Sequence, residues 1–544
     1  MHLRLTISDG HQPLDVEVRA AGPVPWDQVL ARLPLRTAET SAWAVAGPDG
    51  AGQHRLGPDS AVGLPPLLHG AVVTAASGST PCQNPTTPVE VRVSEGPDCG
   101  RSLTLRAGAF MTIGRGAQCD LRICDPDLSR HHLTITSTRG GVIVEDAAST
   151  NGTWLDGHAL DEPAAWPAGS RLALGSTRLD LVPAWQERLP LHPDGRGHGR
   201  FTPRSRHRPV LEEVAFSLPD TSLPQRRPMP PLLSWLLPLV ISGLLAWVLR
   251  MPMLLLFGLM APALAIGTYL GDHRVHRRET GEAHEGHTSA VASARTRADR
   301  AVQAELARRR ARTPDLAHLR AQVVGGPTPE VWSVPLSEAA DLRARVGTGP
   351  QAAMVHMDDE CLSLAEAPLE VGLAGGLGLV GPADLVRALA RAVLCQLLVG
   401  HGPDRLRLGL TGGQHGLGAE WEWLSWAPHA SSETSDPDAV EVALIDLHVR
   451  PGSIASTLSE RSTVLVLAAD ATSLPDLATV VEVSAPNRMR LLIIPEGGWT
   501  AGDAHGHRPD LVGRAVANSI VRGLAPWRLR PGGHPRGSLP ASAH

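Results

Sequence analysis

Apolar and polar residues alternate from the start of the chain: Leu3, Leu5 and Ile7 lie two apart, the period of a half-buried strand. The pattern predicts strands over Leu3 to Ser8 and Leu14 to Arg19, a helix over Pro25 to Leu33, a strand over Ala42 to Ala46 and a last apolar pair, Val72 and Val73. For residues 1–78 this order suits a small β-rich module of grasp-like ββαββ form, or a β-domain serving only as a spacer. Ser, Thr and Pro from Ser77 to Pro88 mark a linker. From Val89 to Pro183 the pattern becomes many short β-branched runs, such as Met111 to Ile113, His132 to Ile135 and Val142 to Val144, divided by Gly, Asp and Asn turns. That spacing predicts an all-β sandwich over 89–183. Residues 184–230 hold Arg, Pro, His and Gly without apolar periodicity and read as a solvated linker.

Two apolar segments follow, Pro231 to Leu249 and Met251 to Leu270, interrupted by Arg250 before Pro252. Each is long enough to cross a hydrocarbon core of about 30 Å. Residues 231–271 are therefore expected to form a two-helix transmembrane hairpin in the lipid bilayer, a buried soluble hairpin being the alternative. Arg226 and Arg227 precede the pair, Arg274, Arg277 and Arg278 follow it, and the connector has only Arg250. The positive-inside rule then gives a two-pass plasma-membrane protein with both termini cytoplasmic. Residues 285–325, rich in Ala, Arg, Leu and Glu with Pro314 as a break, are expected as a helical stalk. Its arginine face is either solvated or in contact with anionic lipid. Over 330–530 strands alternate with helices: Leu377 to Val380, Ala383 to Val399, Arg405 to Leu410, Val442 to Asp446, Thr463 to Ala468, Arg490 to Ile494, then a closing helix over Arg508 to Leu524. This predicts a C-terminal α/β domain built on a parallel sheet.

With 544 residues the chain is too long for one core, and the multidomain reading agrees. The formal charge of −5, from 50 basic and 55 acidic residues, leaves no polycationic footprint, so nucleic acid is not an expected partner. The chain has no lysine, and every one of those basic residues is arginine. A P-loop needs a lysine amine on the β- and γ-phosphates, and Schiff-base chemistry needs the same group. This chain can supply neither. Cys82, Cys99, Cys119, Cys124, Cys361 and Cys395 show no CxxC spacing, and their distances in sequence from His131 and His132 match no common zinc pattern. They read as reduced structural thiols, and neither a metal nor a cofactor is expected. The segment from Met1 to Ile7 lacks the apolar core of a signal peptide.

One constellation stands out within the predicted sandwich: Gly114-Arg115, Asp120, Asp125, Ser129-Arg130-His131-His132, Asp146 and Ser149-Thr150-Asn151-Gly152-Thr153. It resembles the forkhead-associated (FHA) domain, whose Gly-Arg, Ser-Arg-x-His and Ser-x-Asn-Gly-Thr elements occur here in order. The resemblance implies that Arg115, Ser129, Arg130 and Thr150 hold a phosphothreonine phosphate, that Asn151 grips the peptide backbone, and that His132 braces the loop from behind. Gly114 and Gly152 are expected to satisfy turn geometry. The residue types suit the task, because a phosphate dianion needs fixed donors and arginine supplies a planar charged fork. Two other readings compete: docking of a partner without phosphate, and a vestigial fold element.

Further stretches, Val331-Trp332, Asp341 to Gly347, Pro368 to Val371, Gly378 to Pro382, Ala388 to Arg391 and Trp421 to His429, resemble the FtsK/SpoIIIE-type ATPases of type VII secretion, the EccC/EssC group. The resemblance implies a degenerate ATPase-like domain over 330–530 without the motor domains that follow it in that group. Gly376 to Gly381 fits GxGxxG formally, but Leu377 to Val380 is itself the apolar strand, and Asp384 puts a negative charge where phosphate would sit. Asp446 and Asp470 end strands and, without a lysine partner, are expected to be turn or cap residues. Trp421, Trp423 and Trp426 are expected in the core unless one is exposed as a partner anchor. No catalytic site is expected. The leading function is a membrane-anchored phosphothreonine-binding scaffold of a type VII secretion-like or FtsK-type assembly. It would join an oligomeric complex with a threonine-phosphorylated protein and a secretion ATPase or membrane components. The alternatives are a non-catalytic subunit of a split ATPase that activates motor domains on another chain, and a structural relic.

Overall fold

The computed structural model describes residues 1–8, 13–33, 42–46, 53–57, 59–75, 89–138, 140–183, 187–204, 209–218, 232–251, 253–410, 418–430, 439–449, 462–474, 477–493 and 507–530. The linker expected over Ser77 to Pro88, Cys82 within it, Arg226, Arg227 and Pro252 lie outside the described residues. The chain forms two compact units. The first comprises 1–210, 308–351 and 365–544; the second comprises 211–307 and 352–364.

In the first unit the N-terminal residues form a five-stranded sheet from β1 (His2–Ser8), β2 (Leu14–Arg19), β3 (Trp43–Ala46), β4 (Gln53–Arg55) and β5 (Val72–Ala75), in the order β2-β1-β5-β3-β4. β1 and β5 run parallel at its centre, and the short helix α1 (Trp26–Leu30) lies between β2 and β3 in sequence. The alternation has its physical result here, since Leu3, Leu5 and Ile7 are buried with Trp26 and Trp43.

Residues 89–183 fold into two sheets packed face to face. One has the order β9-β8-β10-β11-β14, from β8 (Phe110–Gly114), β9 (Leu121–Arg122), β10 (Leu133–Thr138), β11 (Gly141–Asp146) and β14 (Ala164–Ala165). The other has the order β13-β12-β15-β16-β6-β7, from β6 (Val89–Glu95), β7 (Ser102–Leu105), β12 (Thr153–Leu155), β13 (His158–Ala159), β15 (Arg171–Leu174) and β16 (Thr177–Pro183). Ile113, Leu133 and Ile135 from the first meet Val91, Leu172 and Leu179 from the second, all fully buried. Burying one such side chain is worth about 1.5–3 kcal/mol, so the strand faces and not the turns hold the sandwich.

The segment expected to be a solvated linker is partly packed. β17 (Gly199–Phe201) pairs parallel with Trp527–Leu529, and the Phe201 ring is 1% exposed and stacks on Trp332 with centroids 5.2 Å apart. A single aromatic anchor in a polar stretch has no periodicity, which is why the pattern missed it.

In the second unit β18 (Val214–Phe216) pairs parallel with Val355–Met357, the end of β19 (Arg343–Met357), which is followed by β20 (Glu360–Gly372). The two apolar segments become α2 (Leu232–Val248) and the start of α3 (Leu254–Arg312). Among the described residues no helix is long and apolar enough to cross a membrane. α2 has 17 residues, at the lower limit of the range that spans a bilayer, whereas α3 runs on for 59 residues into charged sequence. The expected transmembrane hairpin therefore has no support from the helices, and the expected stalk is continuous with the second apolar segment. α3 stops before Pro314, and α4 (Leu316–Val323) restarts with Asp315 as its N-cap, accepting from the His318 N–H at 2.8 Å.

The C-terminal part of the first unit is a six-stranded sheet in the order β22-β23-β24-β21-β25-β26, from β21 (Leu377–Val380), β22 (Leu406–Leu410), β23 (Val440–Asp446), β24 (Ser462–Ala468), β25 (Thr479–Ala485) and β26 (Arg488–Ile493). All neighbours are parallel except β25 and β26, which form an antiparallel hairpin at the edge. α5 (Ala383–Gly400) packs on this sheet through Val386, Leu389, Val393 and Leu397, spaced three and four apart. α6 (Arg514–Leu524) then lies against α5. Trp421, Trp423 and Trp426 are all buried, so none is an exposed anchor. The Trp426 ring is sandwiched between the guanidinium of Arg4, 3.8 Å from its centroid, and that of Arg522, at 4.0 Å.

Charged side chains tie the sandwich to the α/β domain. Arg345 donates to Asp510 at 2.6 Å and lies 3.8 Å from Glu95, with all three side chains buried. Glu366 accepts from Arg178 and from Arg508, the latter at 2.6 Å. Burial pushes the Glu366 carboxyl up, but the two guanidinium groups outweigh this and hold it down at about 2.

Candidate functional site

The loops at one end of the sandwich carry the residues singled out from the sequence. β8 ends at Gly114, the β8–β9 loop carries Arg115, the β9–β10 loop carries Ser129 to His132, and the β11–β12 loop carries Ser149 to Gly152. Ser129 Oγ lies 3.3 Å from Thr150 Oγ1 and accepts from the Thr150 N–H at 3.0 Å. The Arg115 N–H donates to the Ser129 carbonyl at 3.0 Å, and Arg115 Nε lies 3.3 Å from the Leu128 carbonyl. Asn151 Nδ2 donates to the Asp127 carbonyl at 2.8 Å. Three loops therefore meet, with Arg115, Arg130, Thr150 and Asn151 exposed and Ser129 half-buried. The Arg130 side chain has no partner among the described residues.

Behind this surface His132 is fully buried. Its Nδ1 accepts from the Ser129 N–H at 3.1 Å, which leaves the proton on Nε2, 3.2 Å from the Gly152 carbonyl. One neutral imidazole thus pins two of the three loops. Burial pulls its pKa below 6.5, against the opposing pull of the Gly152 carbonyl and of Asp146 and Asp125.

The acidic residues are braces. Asp120 accepts from Thr112 N and Oγ1, both at 2.8 Å, and these bonds lower its pKa. Asp125 accepts from Thr177 Oγ1 at 2.8 Å and from the Ser176 N–H at 3.0 Å, and burial raises its pKa. Asp146 accepts from Ser149 N and Oγ, both at 2.7 Å, and from Thr153 Oγ1 at 2.5 Å. Among the described residues no group of His, Cys, Asp or Glu is arranged to hold a metal ion.

The glycines serve two different ends. Gly152 has φ +74°, the conformation glycine was expected to supply. Gly114 does not; a Cβ there would lie 2.5 Å from the Arg130 carbonyl oxygen and 2.9 Å from that of Ser129, so its need is space. Gly116, which the sequence reading did not single out, has the same requirement, with a Cβ 2.7 Å from the Arg130 carbonyl. Asp127 was also missed, although its carbonyl positions Asn151.

Residues 111–175 match the FHA domain family. The chain contains an FHA domain. It is 32% identical over 91 residues to the FHA domain-containing protein FhaB of Mycobacterium tuberculosis, spanning 17% of this chain and 58% of FhaB. It is also 37% identical over 70 residues to the ESX-4 secretion system protein EccC4 of Mycobacterium tuberculosis, spanning 12% of this chain. A match to the ESX-5 secretion system protein EccC5 of Mycobacterium marinum has 31% identity over 114 residues, 20% of this chain. These matches span only 6% of EccC4 and 8% of EccC5. Among solved structures, an FHA domain from work on phosphothreonine-dependent FHA domain interactions is 29% identical, covering 18% of this chain and 96% of that one, with a TM-score of 0.17. The FHA domain of the CT664 protein from Chlamydia trachomatis is 27% identical over the same shares, also at 0.17.

The candidates in the α/β domain are arranged differently. The Gly381 N–H, at the turn before α5, donates to the Ala468 carbonyl at 3.1 Å, Pro382 has no N–H, and Asp384 occupies the first turn. Asp446 is buried, its Oδ2 taken by Arg387 Nε and by Trp421 Nε1, both at 2.9 Å. Asp470 caps a short helical turn through the Ser473 N–H at 3.0 Å.

Proposed function

We propose that this chain is a membrane-anchored scaffold that binds a threonine-phosphorylated protein through its FHA domain, within a type VII secretion-like or FtsK-type assembly. The reading rests on one observation: three loops carry Arg115, Ser129, Arg130, Thr150 and Asn151 to one end of the sandwich, while His132, Asp125 and Asp146 are spent behind them. A fixed, cationic, donor-rich surface suits a dianionic phosphoester better than a neutral hydroxyl. The FHA family match supports the same ligand class. The link to secretion rests on the short EccC4 and EccC5 matches and on the stretches quoted above. Attachment to the plasma membrane with both termini cytoplasmic is supported by the apolar pair of segments and their arginine flanks. Binding of matched phosphorylated and unmodified threonine peptides to the full chain in detergent tests the core of the proposal. Only the phosphorylated form is expected to bind, and equal binding of both would overturn the reading.

A second reading is a non-catalytic subunit that activates ATPase motor domains on another chain. It draws on the same EccC matches and on Asp446, whose carboxylate is engaged by Arg387 and Trp421. The purified chain is then expected to hydrolyse no ATP alone, yet to raise turnover when motor domains are added. Turnover that copurifies with the lone chain would contradict both readings.

A further inference from the structure

The loop end of the FHA domain is flanked by the α/β domain. At the turn between β25 and β26, Asn487 Nδ2 donates to Asp127 Oδ2 at 2.9 Å. The same carboxylate oxygen accepts from Ser176 Oγ at 2.7 Å, and the Asp127 carbonyl holds the Asn151 amide at 2.8 Å. Only one residue, Asp127, thus stands between the α/β turn and the side chain assigned to the peptide backbone. Arg488, the next residue and the first of β26, is exposed. The approach is held by a connected charge network between the same two domains: Arg345 pairs with Asp510 and lies near Glu95, Arg171 Nη1 lies 2.8 Å from Glu95 and 3.8 Å from Glu366, and Glu366 accepts from Arg178 and Arg508. Such a multipoint clamp leaves few alternative orientations.

We propose that the phosphopeptide surface is composite: the FHA loops take the phosphothreonine, and the Asn487–Arg488 turn of the α/β domain forms the adjoining wall, which reads peptide residues on the Asp127 side of Asn151. This inference rests on the phosphothreonine reading of the same loops. Asn487 is a positioning residue, because it acts through Asp127. Arg488 adds a cationic fork, and its chemistry selects an acidic side chain in the flanking peptide. Asp127 Oδ2 is already engaged by two donors and competes little for it.

The test uses the full chain in detergent and fluorescent phosphothreonine peptides carrying either Glu or Arg at each flanking position. The unaltered chain is expected to favour Glu over Arg at one of those positions by about fivefold, the scale of an exposed ion pair. Arg488→Glu should reverse that preference while leaving the dependence on phosphate intact, and as a change on an exposed residue it keeps the fold. Asn487→Ala should weaken every phosphopeptide by about threefold, the scale of one hydrogen bond. Unchanged affinities and preferences in both variants would overturn the composite surface while leaving the phosphothreonine reading standing. Failure of the unaltered chain to bind any phosphopeptide would overturn both.

Discussion

The loop end of the FHA domain and the strand ends of the α/β domain are both places where glycine, arginine and aspartate gather, yet they treat their polar groups in opposite ways. In the FHA domain the carboxylates and the imidazole are consumed behind the loops, and the cationic and amide side chains remain exposed. At the α/β strand ends the candidate groups are themselves consumed: Asp446 is buried and filled by Arg387 and Trp421, and Gly381 gives its N–H to Ala468. Similar residue strings therefore differ in what they leave unspent. A ligand can only be held by donors that the fold has not already used.

Four experiments break or sharpen this contrast. Asp446→Ala leaves the Arg387 guanidinium and the Trp421 N–H unpaired beside the core, and should destabilise the α/β domain by about 3–5 kcal/mol in chemical denaturation. Phosphopeptide affinity measured below the transition should not change; a parallel loss would mean that Asp446 belongs to the binding surface after all. Arg115→Ala removes an exposed fork and should reverse the pattern, with phosphopeptide affinity falling about a hundredfold and the melting temperature unaltered. Gly114→Ala forces a Cβ against the Arg130 carbonyl at 2.5 Å and should cost about 1–3 kcal/mol of FHA stability, read in the same denaturation series. A neutral result there would show that the β8–β9 loop can shift.

The smallest effect is a pH dependence. His132 has its pKa lowered by burial, so the unfolded chain takes up the proton first. Its contribution to stability is complete above 6.5 and is lost as pH falls through the depressed folded value. Protonation also puts a hydrogen on Nδ1, where the Ser129 N–H donates, so phosphopeptide binding should weaken over the same acidic range. His132→Gln should flatten both profiles in thermal melts and binding titrations.

The site was legible in the sequence to the extent that its residues are contiguous. Gly114-Arg115, Ser129 to His132 and Ser149 to Thr153 are short strings on single loops, and turn chemistry leaves such strings readable. Gly116 and Asp127 escaped because their roles are a missing Cβ and a backbone carbonyl, which no residue type announces. Asn487 escaped because it meets Asp127 across 360 positions, beyond any local period. The fold shows the same division. The alternation of the sandwich strands follows from burial of one face, and the continuous apolar runs of the central α/β strands from burial of both, whereas Phe201, a lone anchor in a polar stretch, could be placed only by the aromatic partners it finds. The apolar segments before residue 271 show a third case, since hydrophobic length in sequence exceeded the length of α2 as folded.

The indole of Trp426 has one further consequence. Because its two faces are covered by arginines from β1 and α6, the opening strand and the late helix of the first unit close over a common surface. A fragment beginning at residue 89 would bare one face of that ring, and its tryptophan emission would report the missing strand before any binding assay did.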